Sequence, residues 1–176
     1  MLKNFIIICS IILPLTVFSK DTFKPTKLMM AVEENSIFFE LEAPSDSILG
    51  FSHLAKSSAD KKILKAAEDM WRKEFLSKLI IMNDKPHCEV KEVLFEQILN
   101  EGDDEAPSKP TSSKSVNVAT SIEAQAKMIC STVLTGEVLT IALRKHFPKI
   151  QKLAVEMIGA ETRTFDAKVE EKIKLK

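Results

Sequence analysis

From Ile37 to Glu42 the chain alternates. Ile37, Phe39 and Leu41 fall on one side of an extended backbone, and Glu40 and Glu42 on the other. That is the period of a strand with one dry and one wet face. Pro44 ends the run because its ring has no N–H for a ladder, and Ser45, Asp46 and Ser47 offer short acceptors that suit a turn. Gly50 and Phe51 follow, then His53 just ahead of a helix start. Leu28–Val32 reads as a partner strand, joined through Glu33–Ser36 into a hairpin. Ser57, Ser58 and Asp60 supply helix caps. Ile63, Ala67, Met70, Trp71, Phe75 and Leu79 then recur at three- and four-residue steps, predicting a helix over 59–79 with Trp71 in the core.

Asn83, Asp84 and Pro86 break that pattern. A strand over Cys88–Leu99 follows, with Cys88 and Val90 on one face and a phase slip near Glu92 that marks a bulge. Residues 100–115, NEGDDEAPSKPTSSKS, hold two prolines, four serines and no large apolar side chain, the composition of a mobile loop within a domain. In the next strand Val118, Ile122, Ala124, Ala126, Met128 and Cys130 share a face. Gly136 opens a second predicted helix, with Val138, Leu139, Ala142, Leu143 and Phe147 as its buried stripe and Pro148 at its end. Lys152–Ile158 is a strand, Gly159–Glu161 a turn, and a last strand carries Phe165, Ala167, Val169, Ile173 and Leu175 on one face. The order β-β-α-β-loop-β-α-β-β, richer in hairpins than in crossovers, predicts an α+β fold. Its sheet is mainly antiparallel, with two helices packed on one face.

Residues 1–19 read as a signal peptide. Lys3 gives a positive start, Phe5–Val17 an apolar run, and Val17-Phe18-Ser19 a small-residue cleavage site. The run is too short and badly flanked for a membrane span. The expectation is export to the periplasm and a mature chain of residues 20–176, one domain with a flexible linker at 100–115. Of 25 Lys and Arg, balanced by 25 Asp and Glu, only Lys3 lies in the removed segment. A mature chain this near neutrality argues against a nucleic-acid partner.

Two cysteines remain after Cys9 is lost. Cys88 and Cys130 sit on inward strand faces either side of the linker, and in an oxidising compartment such a pair is expected to bridge. A reactive thiol or a thiolate metal ligand is the competing reading. Spacing favours neither, as no CxxC is present and no base stands beside either cysteine. The three histidines are too far apart in sequence to share a helical face as metal ligands. His146, beside Arg144 and Lys145, suits a helix end. His87 starts a strand next to the linker, and His53 holds the best-placed loop-to-helix junction for a metal ligand. Asp103, Asp104 and Glu105 lack the spacing of a calcium loop, so solvation is their default. No GxSxG, HExxH or P-loop occurs, and nothing points to an enzyme.

Residues 41–64, LEAPSDSILGFSHLAKSSADKKIL, resemble the ExPADnivGFEHxPxTxxEK stretch of the ZrgA-like periplasmic proteins associated with zinc uptake. Residues 143–158, LRKHFPKIQKLAVEMI, are similar to that family's LFxxFPxLxxLxVQ segment, and Cys88 and Cys130 stand where the family places its pair. The resemblance implies a non-catalytic, zinc-binding accessory protein acting beside an ABC-type transporter. It also implies histidines in the linker and near the mature N-terminus. This chain has none in 100–115 or 20–27, and the Glu expected before the motif histidine is Ser52. Only His53 carries over, with His87 as a second candidate. Since neutral imidazoles are what suit a site to zinc, their loss weighs against high affinity.

Overall fold

The computed structural model describes residues 25–82, 87–100 and 119–176. The alternating stretch is a strand, β2 (Ser36–Pro44), in an antiparallel hairpin with β1 (Thr26–Val32). On its other side β2 pairs with β5 (Thr120–Cys130), and β5 pairs with β4 (Cys88–Leu99), both antiparallel. The β4–β5 register shifts between Val90 and Glu92, where the phase slip predicts a bulge. β7 (Leu153–Ile158) lies parallel beside β1 and carries β8 (Arg163–Asp166) antiparallel at its edge. The six-stranded order is therefore β4-β5-β2-β1-β7-β8. It is mainly antiparallel, as expected, with β1–β7 the parallel pair.

Its inward face is the apolar set that the alternation selects. Leu28, Met30, Ile37, Phe39, Leu41, Ala124 and Met128 are fully or almost fully buried. Against it lies α2 (Ser58–Lys73), which follows a single helical turn, α1 (Ser45–Ile48). Trp71 Nε1 donates to Gln125 O at 3.1 Å, which gives the buried indole its polar partner. Phe75 meets Trp71 and Phe39 edge-to-face at 5.0 and 5.1 Å, contacts worth about 0.5–1.5 kcal/mol each beyond their burial. The stripe expected as one helix over 59–79 is not continuous. α2 stops at Lys73, and Phe75–Leu79 forms a π-helical turn. Phe75 and Leu79 both remain in the core across that turn.

The second expected helix, from Gly136 to Phe147, is overturned. Val138–Ile141 is a strand, β6, and only Leu143–His146 is helical, one turn (α3). β6 alternates half-buried and buried residues. It lies between β3 (Ile80–Met82) and β9 (Glu171–Lys174) in a three-stranded sheet, order β3-β6-β9. Gly136 has φ 89°, a left-handed turn position, not a helix start. The expected last strand is also two, β8 and β9, in different sheets, with Val169 exposed between them. The core is thus closed by one long helix and a small sheet, not by two helices. The signal peptide and, from residue 101 on, the linker lie outside the described residues.

Cys88 and Cys130 are directly opposite in the β4–β5 register and form a disulfide. It closes a loop with a sequence separation of 42, which constrains the unfolded chain by about 4 kcal/mol in the loop-entropy account. Denaturant titration with and without a dithiol reductant measures this. We expect a loss of about that size, and an unchanged midpoint would mean the bridge adds nothing.

Candidate functional site

The end of β2 builds the site. Past Pro44, α1 makes its one turn, with Leu49 N and Gly50 N donating to Ser45 O and Asp46 O. Gly50 then takes φ 87°, which reverses the chain toward Phe51. The Phe51 ring stacks on the His53 imidazole with centroids 4.8 Å apart and planes 18° from parallel. His53 is exposed, and its Nδ1 lies 3.0 Å from Leu54 O. A carbonyl only accepts, so in the neutral ring Nδ1 holds the proton and Nε2 presents its lone pair outward.

Four residues later α2 begins with a capping box. Asp60 N donates to Ser57 Oγ at 3.0 Å, and Ser57 N to Asp60 Oδ2 at 3.1 Å. The Ser57 side-chain hydrogen bond holds the Asp60 carboxyl below its ordinary value of 3.8, with the neighbouring His53 charge adding to the effect.

A polar hub ties this junction to the end of the β4–β5 pair at which β4 finishes and β5 begins. Gln97 Nε2 donates to His53 O at 2.8 Å and to Thr120 Oγ1 at 3.0 Å, while Ala55 N donates to Gln97 Oε1 at 2.9 Å. Those partners fix which end of the amide is oxygen. Thr120 Oγ1 lies 2.8 Å from Ser45 Oγ and 2.9 Å from Ser52 O, and one of the two takes its proton. Thr120 N also donates to Ser52 O, and Asn100 N to Ala119 O, extending the strand pairing past Leu99 and Thr120 beside His53. Gln97 and Thr120 did not stand out in the sequence, and Ser45 stood out only as a turn acceptor. The available signal was a polar residue at an inward strand position, as Gln97 follows Val93 and Phe95, and Thr120 precedes Ile122 and Ala124.

The structure separates the two candidate metal histidines. His53 is bonded to Gln97 near the end of β4, whereas His87 is exposed and adjoins Cys88 at its start. From Cys88 to Gln97 extended chain spans roughly 30 Å, so no single ion reaches both rings. Cys88 and Cys130 are consumed in the disulfide. Asp103, Asp104 and Glu105 lie outside the described residues. Among the described residues no three His, Cys, Asp or Glu side chains converge as a metal-binding group, so they do not fit a self-contained zinc site, which takes three or four protein ligands. The described helices include none long and apolar enough to cross a membrane.

A protein-family model described as "ZrgA family zinc uptake protein" matches residues 25–172. No curated protein matches the chain. The match covers the described fold almost end to end, and the chain belongs to the ZrgA family.

Two outcomes follow from the junction. Replacing Gln97 by Ala removes its hydrogen bonds to His53, Thr120, Ser45 and Ala55 and should cost about 1–3 kcal/mol, with amide exchange accelerating at Ala55 and Thr120. Unchanged protection at both amides would show the hub to be incidental. The second concerns pH. Asp60 has a depressed folded value, so its stabilisation of the α2 start is present above about 3.8 and is lost as pH falls through the folded value. Acid titration of Asp60→Asn against the parent chain should show a stability gap at neutral pH that closes at low pH.

Proposed function

Taking ZrgA family membership as premise, we propose that this is an exported, non-catalytic accessory of zinc uptake that meets zinc as cargo through His53. It works in the periplasm beside an ABC-type transporter. The match over residues 25–172 carries the reading. His53 supports it because its Nδ1 is held by a backbone carbonyl, which aims Nε2 at solvent as a ligand nitrogen should be aimed. One neutral imidazole suits brief contact with an ion whose other positions are filled by water or by another protein; storage needs more ligands.

A second reading is a metal-free interaction module on the same scaffold. The isolation of His53 favours it, since His87 stands at the far end of β4 and no third ligand converges among the described residues.

Calorimetric titration of the chain with a zinc salt decides between them. Weak binding, abolished by His53→Ala and untouched by His87→Ala, is the expected result. No heat of binding, or binding that survives loss of His53, overturns the zinc reading and leaves the second.

A further inference from the structure

The six-stranded sheet has a second face, turned away from α2, and no described element covers it. Register places Glu96, Glu123 and Glu42 directly opposite one another on β4, β5 and β2. The neighbouring row brings Glu40 and Glu156 to either side of Met29. Glu92 and Asp166 extend the charge to the two edge strands, and Lys27 and Lys127 are the face's cations. Leaving aside Glu89 and Lys91, which pair with each other at the β4 bulge, seven carboxylates against two lysines make this face strongly negative, although the chain as a whole is neutral. Like charges directly opposite across strands disfavour the sheet. Among the described residues none of Glu42, Glu96, Glu123 or Glu156 is in an ion pair.

The face is also concave. A cavity of about 440 Å³ opens over β1, β2 and β7, walled by Glu40, Glu42, Glu123 and Glu156 with Lys27 as its one cation, and floored in part by Met29 and Ala154. Leu94 and Ile158 add exposed apolar surface, 36% and 40% accessible, on either flank. Carboxylate walls over an aliphatic floor match a side chain that is apolar along its stem and cationic at its tip, which describes Lys and Arg.

We propose that this face docks a basic segment of a partner protein, with Lys or Arg alternating with apolar residues, laid across β5, β2, β1 and β7. The inference goes beyond the zinc reading and does not depend on it. Charge sign selects the occupant. Nucleic acid would be repelled. The carboxylates do not converge on a metal position. A second copy of the chain is a poor match, because α2 already commits Lys65, Arg72 and Lys73 to Glu68 and Asp69.

The test titrates the isotopically labelled full chain with a short synthetic peptide alternating lysine and valine, followed by backbone amide shifts. Shifts should concentrate on outward residues of β1, β2, β5 and β7 and weaken as salt rises. The double substitution Glu42→Gln and Glu123→Gln should reduce affinity about fivefold, while Lys61→Gln with Lys62→Gln leaves it unchanged. Both pairs are on the surface, and thermal melts confirm that the variants fold. Shifts centred on α2, or equal affinity for the Glu42/Glu123 variant, overturn the proposal. So does sedimentation showing a dimer that this variant dissociates, since the occupant is then a second copy.

Discussion

The register of β4 on β5 and of β5 on β2 is the constraint from which the rest follows. Side chains alternate with period two, so a one-residue slip would turn every inward residue of a strand outward. In the observed register Ala124 and Phe95 face the core together, and Cys88 meets Cys130. The same register lines up Glu96, Glu123 and Glu42 on the wet side. At one end it is locked covalently by the disulfide. At the other it is locked by Gln97 and Thr120, which fasten the strand pair to Ser52 and His53. The bulge near Glu92 lies between these two fixed ends, where a local irregularity changes neither.

This arrangement explains which parts of the fold could be read ahead of the structure. The β1–β2 hairpin, the bulge and the cysteine pairing are properties of long strands, whose alternation is unmistakable over nine to twelve residues. Segment 136–147 was illegible for the opposite reason. Val138, Leu139, Ala142 and Leu143 fit a helical stripe, yet Leu139 and Ile141 fit a four-residue buried strand equally well. What decides between them is the presence of β3 and β9 on either side, and neither is local in sequence. The same distant partners split the last predicted strand in two. The helix over 59–79 was nearly right: its apolar stripe stays buried as far as Leu79, but its last turn, from Phe75, is π-helical and not α-helical.

The candidate site was half legible. His53 stands out because a histidine between a glycine turn and a capping box has few structural duties. Its support does not stand out, because Gln97 and Thr120 belong to strands far along the chain, and a pattern search discounts lone polar residues in apolar runs. Yet an inward polar group must find partners or destabilise the fold. Here the partners are the backbone of the very loop that carries His53. The hub therefore serves packing and positioning together: the hydrogen bonds that satisfy Gln97 also hold the backbone of His53 beside the end of β4.

Overall neutrality hides this protein's electrostatic character. Equal numbers of acidic and basic residues suggest a featureless surface, and that inference holds only if the charges are mixed. They are not. The capping and pairing residues of α2 neutralise one another along the helix, whereas among the described residues Glu42, Glu96 and Glu123, outward on β2, β4 and β5, are in no ion pair. Strands lie about 4.8 Å apart, so three glutamates in a cross-strand row fall within about one Debye length at physiological salt. An approaching cation feels them together, not one at a time, and a concave wall keeps part of the screening solvent away. A single acidic residue per strand is thus sufficient to give the sheet a sign, provided the register keeps those residues aligned.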